Sequence, residues 1–138
     1  MPNWCKEAED IMQERFGRDN VLALATVEDG VPAVRSVNAY YEDGSFYVIT
    51  WGLSGKMKQI AANPAVALAG EWYTARGVGE SLGAVGKPEN AALLIKLRQA
   101  FAGWIDNGHT DLQDENTVIL RIRVTQAVLM SHGVRYEM

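Results

Sequence analysis

The 138 residues are 48% hydrophobic and carry a formal charge of −4, enough apolar surface for one folded domain and the wrong field for a generic nucleic-acid or anionic-membrane binder. The one cysteine, Cys5, excludes an internal disulfide framework, and no apolar run approaches the roughly 20 residues of a membrane-spanning helix. Trp4-Cys5-Lys6-Glu7 lacks the character of a secretory leader. The expectation is a single domain over residues 1–138, without nucleic-acid or membrane partners, in a reducing cytoplasm.

Trp4, Ala8, Ile11, Met12 and Phe16 recur at helical spacing, and Gly17 is placed to end that helix. Strand-like runs follow over 21–27, 32–41 and 45–50, separated by Asp29-Gly30 and Asp43-Gly44. Aspartate before glycine is a strong hairpin signal, and connections this short require antiparallel neighbours. Ser54 is a natural N-cap for a helix over 55–62, with Met57, Ile60 and Ala61 on one apolar face and Asn63-Pro64 as its end. Two more strand-like runs span 65–76 and 78–85, with glycines at 70, 77, 79 and 83 marking bulges or sharp bends.

Gly86-Lys87-Pro88 opens another helix, with Leu94, Leu97, Phe101 and Trp104 or Ile105 on one face, before a polar loop over 106–116. The strand over 117–130 alternates Leu120, Ile122 and Val124 against Arg121 and Arg123, and residues 131–138 can add a short strand. Five to seven short antiparallel strands with a few helices predict a mainly β barrel or sandwich with covering helices.

Chemistry concentrates in the segment over 45–68. A helix N-terminus carries free N–H groups and partial positive charge, so the Ser54 hydroxyl with Lys56 and Lys58 suits a phosphate monoester. A solvated helix face with two lysines fits the same residues. Arg35 adds a second signal, because the period of two places it with Ala33, Val37 and Ala39 on a largely apolar face. A guanidinium there needs an anion, either a ligand phosphate or an internal carboxylate. Arg35 and Ser54 fall on neighbouring strands and the turn after them, within reach of one ligand.

Other candidates carry less. His109 and His132 have no metal-ligand partner at a useful spacing and read as surface histidines. Cys5 reads as a half-buried helix cysteine. Ser81 in Gly79-Glu80-Ser81-Leu82-Gly83 lacks the strand-turn-helix context of a nucleophile elbow. Tryptophans usually anchor cores or interfaces, but Trp51 stands between a strand and the phosphate-friendly turn, where a ligand's ring system could lie.

With Arg35, Ile49-Thr50, Ser54, Lys56, Asn63, Pro64, Val66 and Leu68 in that order, the chain resembles the FMN-binding split β-barrel proteins, the pyridoxamine 5'-phosphate oxidase-like superfamily. Val78-Gly79-Glu80 and the helix ending at 101–104 extend the likeness toward small general-stress-type members. The resemblance implies a six-stranded antiparallel Greek-key split barrel with peripheral helices, forming a homodimer with two FMN sites at the interface. It implies that Arg35 meets the phosphate or ribityl chain, and that the backbone of Ser36, Val37 and Asn38 runs past the flavin ring. Ile49 and Thr50 would flank the ring or ribityl edge beside Trp51, while Ser54 and Lys56 hold the phosphate.

Two departures from that pattern stand out. The true oxidases have an arginine where this chain has Gly55, with Lys58 the candidate replacement, and a flavin-reaching glutamine where it has Gly77. His132-Gly133-Val134-Arg135 does not replace their substrate-binding arginine and histidine either. The resemblance therefore implies an FMN-dependent oxidoreductase acting on an unidentified small substrate other than pyridoxamine phosphate. Its alternatives are a non-catalytic flavin-binding, storage or redox-sensing protein, and a deazaflavin or haem binder on the same fold.

Overall fold

The computed structural model describes residues 4–138, and the first three residues of the expected domain lie outside the described residues. Strand pairing begins locally: β1 (Asn20–Glu28) turns through Asp29-Gly30 into β2 (Val31–Glu42), which turns through Asp43-Gly44 into β3 (Ser45–Trp51). The four turn residues have φ of 51° and 79°, then 47° and 85°. Two-residue hairpins need this left-handed backbone, which aspartate and glycine tolerate best.

The helix α2 (Gly55–Ala62) then carries the chain to the other side of β1, so that β4 (Ala65–Gly70) pairs with β1 instead of β3. β5 (Tyr73–Ala84) pairs with β4, and β6 (Thr117–Ser131) pairs with β5. The first half of β6 also pairs with β3, from Ser45 opposite Arg123 to Trp51 opposite Thr117. That pairing closes an antiparallel barrel in the order β3-β2-β1-β4-β5-β6, with the Greek-key return of a fourth strand to the side of the first. The tail forms β7 (Val134–Glu137), an extra strand along the second half of β6. The fold is mainly β, as expected.

One strand boundary differs from the sequence pattern. The run over 65–76 is broken at Glu71-Trp72, where Trp72 takes φ 54°, and Gly77 lies inside β5 at a register shift. Gly70, one of the glycines that mark bends, stands just before the turn, but the two turn residues themselves are Glu71 and Trp72, so the strand-like run reads on through them. Gly77 has a separate cause: a Cβ would come within 2.6 Å of the Arg123 carbonyl oxygen, because the bulge brings two backbones together.

Two cores follow from the alternation. Inside the barrel, Leu22, Leu24, Val37, Ala39, Phe46, Val48, Leu120 and Ile122 are buried. α1 (Lys6–Phe16) adds Ala8, Met12 and Phe16, while α2 adds Met57 and Ile60. Phe16, Tyr41, Phe46 and Tyr73 meet edge-on or tilted at centroid distances of 5.0–5.9 Å, the arrangement that aromatic quadrupoles favour. Cys5 is exposed at the α1 N-cap, not half-buried, because the helix begins only at Lys6.

A second cluster of Val85, Leu97, Phe101, Ile105 and Ile119 lies beneath α3 (Ala91–Ala100). That helix stops before Phe101, so Phe101 and Ile105 reach the cluster from turns instead of from the longer helix that the spacing predicts.

Candidate functional site

The inward positions of β1 run Leu22, Leu24, Thr26, and Thr26 is fully buried. Across the register, Arg35 of β2 lies opposite Leu24 and shares the inward face with buried Val37 and Ala39. Its guanidinium donates from Nη1 to the Leu24 carbonyl at 3.2 Å and to Thr26 Oγ1 at 2.7 Å. From Nη2 it donates to Gln59 Oε1 at 3.2 Å. All three acceptors are neutral. The internal carboxylate that could have satisfied Arg35 is not among them, and Glu28 joins the network only by accepting from Gln59 Nε2 at 3.0 Å.

Lys56, in the first turn of α2, is half-buried beside this arginine. Burial, and secondarily the Arg35 charge, push its pKa below the ordinary lysine value. The six ion pairs among the described residues all involve other cations. Two adjacent, partly desolvated positive charges without a carboxylate partner are unfavourable alone and complementary to a multiply charged anion.

The helix start completes the arrangement. Ser54 is the α2 N-cap with φ −66° and ψ 161°, and its Oγ accepts from the Met57 N–H at 3.4 Å. The first-turn N–H groups have no intrahelical carbonyl and add positive potential. The preceding turn is pinned, since Gly52 N donates to the Asn116 carbonyl at 2.6 Å. On either side of that pin, Trp51 and Leu53 stand exposed, Trp51 by 55%. A Cβ at Gly55 would meet nothing within 4 Å.

The remaining predicted residues divide by face. Val37 is committed to the barrel core, and Ser36 is exposed. Asn38 donates to Asp19 Oδ1 at 2.9 Å, while Asp19 Oδ2 accepts from Trp104 Nε1 at 3.0 Å, so this amide is tied to structure. Thr50 is half-buried, and Ile49 packs into the cluster beneath α3. Lys58 is exposed and lines a shallow depression with Glu28, Asp29 and Asn63, apart from Arg35.

The fold therefore brings together Arg35, Lys56 and the Ser54 cap, and leaves Lys58 and Ile49 outside that contact group. Thr26 and Gln59 are the members that sequence reasoning missed. Thr26 carried a usable signal, a polar residue in step with Leu22 and Leu24; Gln59 carried none. His109 and His132 are exposed in loops, and no group of three His, Cys, Asp or Glu residues among the described residues is arranged for a metal.

A family model described as pyridoxamine 5'-phosphate oxidase matches residues 8–131. No curated protein matches the sequence. Among solved structures, general stress protein 26 from Bacillus anthracis is 18% identical, with 88% of this chain and 92% of that one covered at a TM-score of 0.71. An FAD-binding protein from Mesorhizobium loti is 18% identical over 96% and 93% of the two chains, with a TM-score of 0.68. HutZ, a haem storage protein from Vibrio cholerae, is 15% identical over 90% and 93%, with a TM-score of 0.67. At these identities the likeness to the three structures is one of fold.

Proposed function

The chain belongs to the pyridoxamine 5'-phosphate oxidase family, and from that premise we propose that it is an FMN-binding flavoprotein. In this reading it is a cytoplasmic, homodimeric oxidoreductase for a small substrate, with its cofactor sites at the subunit interface. The observation that supports it most is the unneutralised pair of Arg35 and Lys56 beside the α2 N-terminus. A phosphate monoester carries nearly two negative charges at neutral pH, so two cations and free helix N–H groups match its charge and its acceptors.

Arg35, Lys56 and the Ser54 turn would hold the phosphate, with the exposed Trp51 and half-buried Thr50 beside the ring system. Ser36, Val37 and Asn38 would contribute backbone, and Ile49 would act only by fixing β3. Lys58 would supply long-range attraction. The isoalloxazine, when bound, supplies the redox chemistry, so no side-chain nucleophile is required. Oxidation of pyridoxamine phosphate is not proposed, because Gly77 has no room for a side chain and Gly55 leaves open space. A phosphate-anchored ligand is favoured over haem, since His109 and His132 are both exposed in loops.

The test is the absorption spectrum of the purified protein followed by titration with FMN and with riboflavin, which lacks the phosphate. A flavin spectrum or quenched FMN fluorescence is expected. Arg35→Ala and Lys56→Ala should each weaken FMN by roughly 10- to 100-fold, the worth of a charge-assisted hydrogen bond, with little effect on riboflavin. Absence of binding at saturating FMN would sink the proposal.

A further inference from the structure

Gln59 occupies a position that no hydrophobic or helical pattern demands. It lies on α2, one turn after Lys56, and its side chain bridges β1 and β2. Its Oε1 accepts from both Thr26 Oγ1, at 2.5 Å, and Arg35 Nη2, while its Nε2 donates to Glu28. The chemistry of its neighbours fixes the amide orientation: arginine can only donate and an ionised glutamate can only accept, so the oxygen must face Arg35 and the nitrogen Glu28. The amide thus stands between a guanidinium and a carboxylate, contacting each.

The arrangement also leaves donors over. A guanidinium has five N–H groups, and Arg35 uses three, two on Nη1 and one on Nη2. The Nε–H and the second Nη2–H have no partner among the described residues. Replacing Gln59 by glutamate would keep the acceptor while adding the missing counter-charge.

We infer that Gln59 is a positioning and specificity-determining residue, a neutral clamp that orients Arg35 and keeps its positive charge available to the phosphate of the ligand. The inference rests on the flavin reading of the same site. Thr26, fully buried and donating to the clamp oxygen, fixes its other side.

The experiment compares FMN and riboflavin affinity in wild-type protein, Gln59→Glu, Gln59→Met and the double variant Gln59→Glu/Glu28→Gln, with melting temperature as the control for folding. Gln59→Glu should lower FMN affinity by at least about tenfold while changing riboflavin less than about threefold, because only the phosphate senses the neutralised arginine. Gln59→Met, which removes the acceptor without adding charge, should cost FMN less. The double variant removes repulsion between adjacent carboxylates and should still lack the preference for FMN.

An unchanged FMN-to-riboflavin ratio in both glutamate variants overturns the inference while leaving the flavin reading intact. If wild-type protein binds neither flavin, that reading falls, and millimolar inorganic phosphate becomes the probe. Phosphate should then raise the melting temperature of wild type but not of Gln59→Glu, and absence of that difference overturns the clamp as well.

Discussion

Lys56 gives the proposed site a pH dependence of its own. Burial and the neighbouring guanidinium both disfavour its protonated form, so it releases its proton below the ordinary lysine range. In the proposed site, phosphate recognition needs the ammonium. FMN affinity should therefore fall about tenfold per pH unit above the lowered pKa, as expected for one required proton. Lys56→Arg should abolish that alkaline limb, since a guanidinium stays charged. An identical limb in Lys56→Arg would assign the titration to another group. The contribution of Lys56 to stability has the opposite sign: the unfolded chain holds the proton more tightly, so the cost of the charged lysine is present below the lowered pKa and is relieved as pH rises through it.

Among the elements, β5 and α2 give the same substitution two outcomes. Gly77 sits at the β5–β6 register shift with the Arg123 carbonyl 2.6 Å from where a Cβ would stand, whereas a Cβ at Gly55 would meet open space at the first residue of α2. Gly77→Ala forces one backbone away from the other and should cost about 2 kcal/mol or more. Gly55→Ala restricts only the unfolded chain and should stabilise by about 0.5 kcal/mol. Denaturant midpoints of the two variants check both signs, and wild-type stability in Gly77→Ala would refute the close approach. The contrast also says which departure from the oxidase pattern is structural: Gly77 is required by the barrel, and Gly55 is free to vary.

For the whole molecule, the outer face of the barrel bears on assembly. Val34 and Val21 are 70% and 66% exposed. In the register Ala25 lies opposite both Val34 and Ala67, and Ala23 opposite Ser36 and Ala69. Apart from Ser36, these residues form a patch of small apolar side chains across β2, β1 and β4, of the kind that self-association covers. Because β2 carries Val34 and Ser36 on this face and Arg35 on the other, the proposed interface and the proposed site share one strand. Val34→Glu should therefore convert a dimer into monomer and weaken FMN binding together, measured by sedimentation and flavin titration. Wild-type protein that sediments as a monomer at micromolar concentration and still binds FMN tightly would remove the interface from the site.

What the sequence determined by itself is what short-range sterics and periodicity fix. Asp29-Gly30 and Asp43-Gly44 were legible because few residue pairs accept consecutive positive φ angles. Ser54 was legible because an N-cap needs only its own helix, and Arg35 because alternation alone sets its face. Glu71-Trp72 was not legible, since cross-strand pairing and not turn chemistry places that turn. The partners of Arg35 were equally hidden: Gln59 lies 24 residues from Arg35 and 33 from Thr26. Only the closed barrel decides that those partners are neutral, and so only the tertiary structure decides that Arg35 of β2 and Lys56 of α2 lie side by side without a carboxylate partner among the described residues.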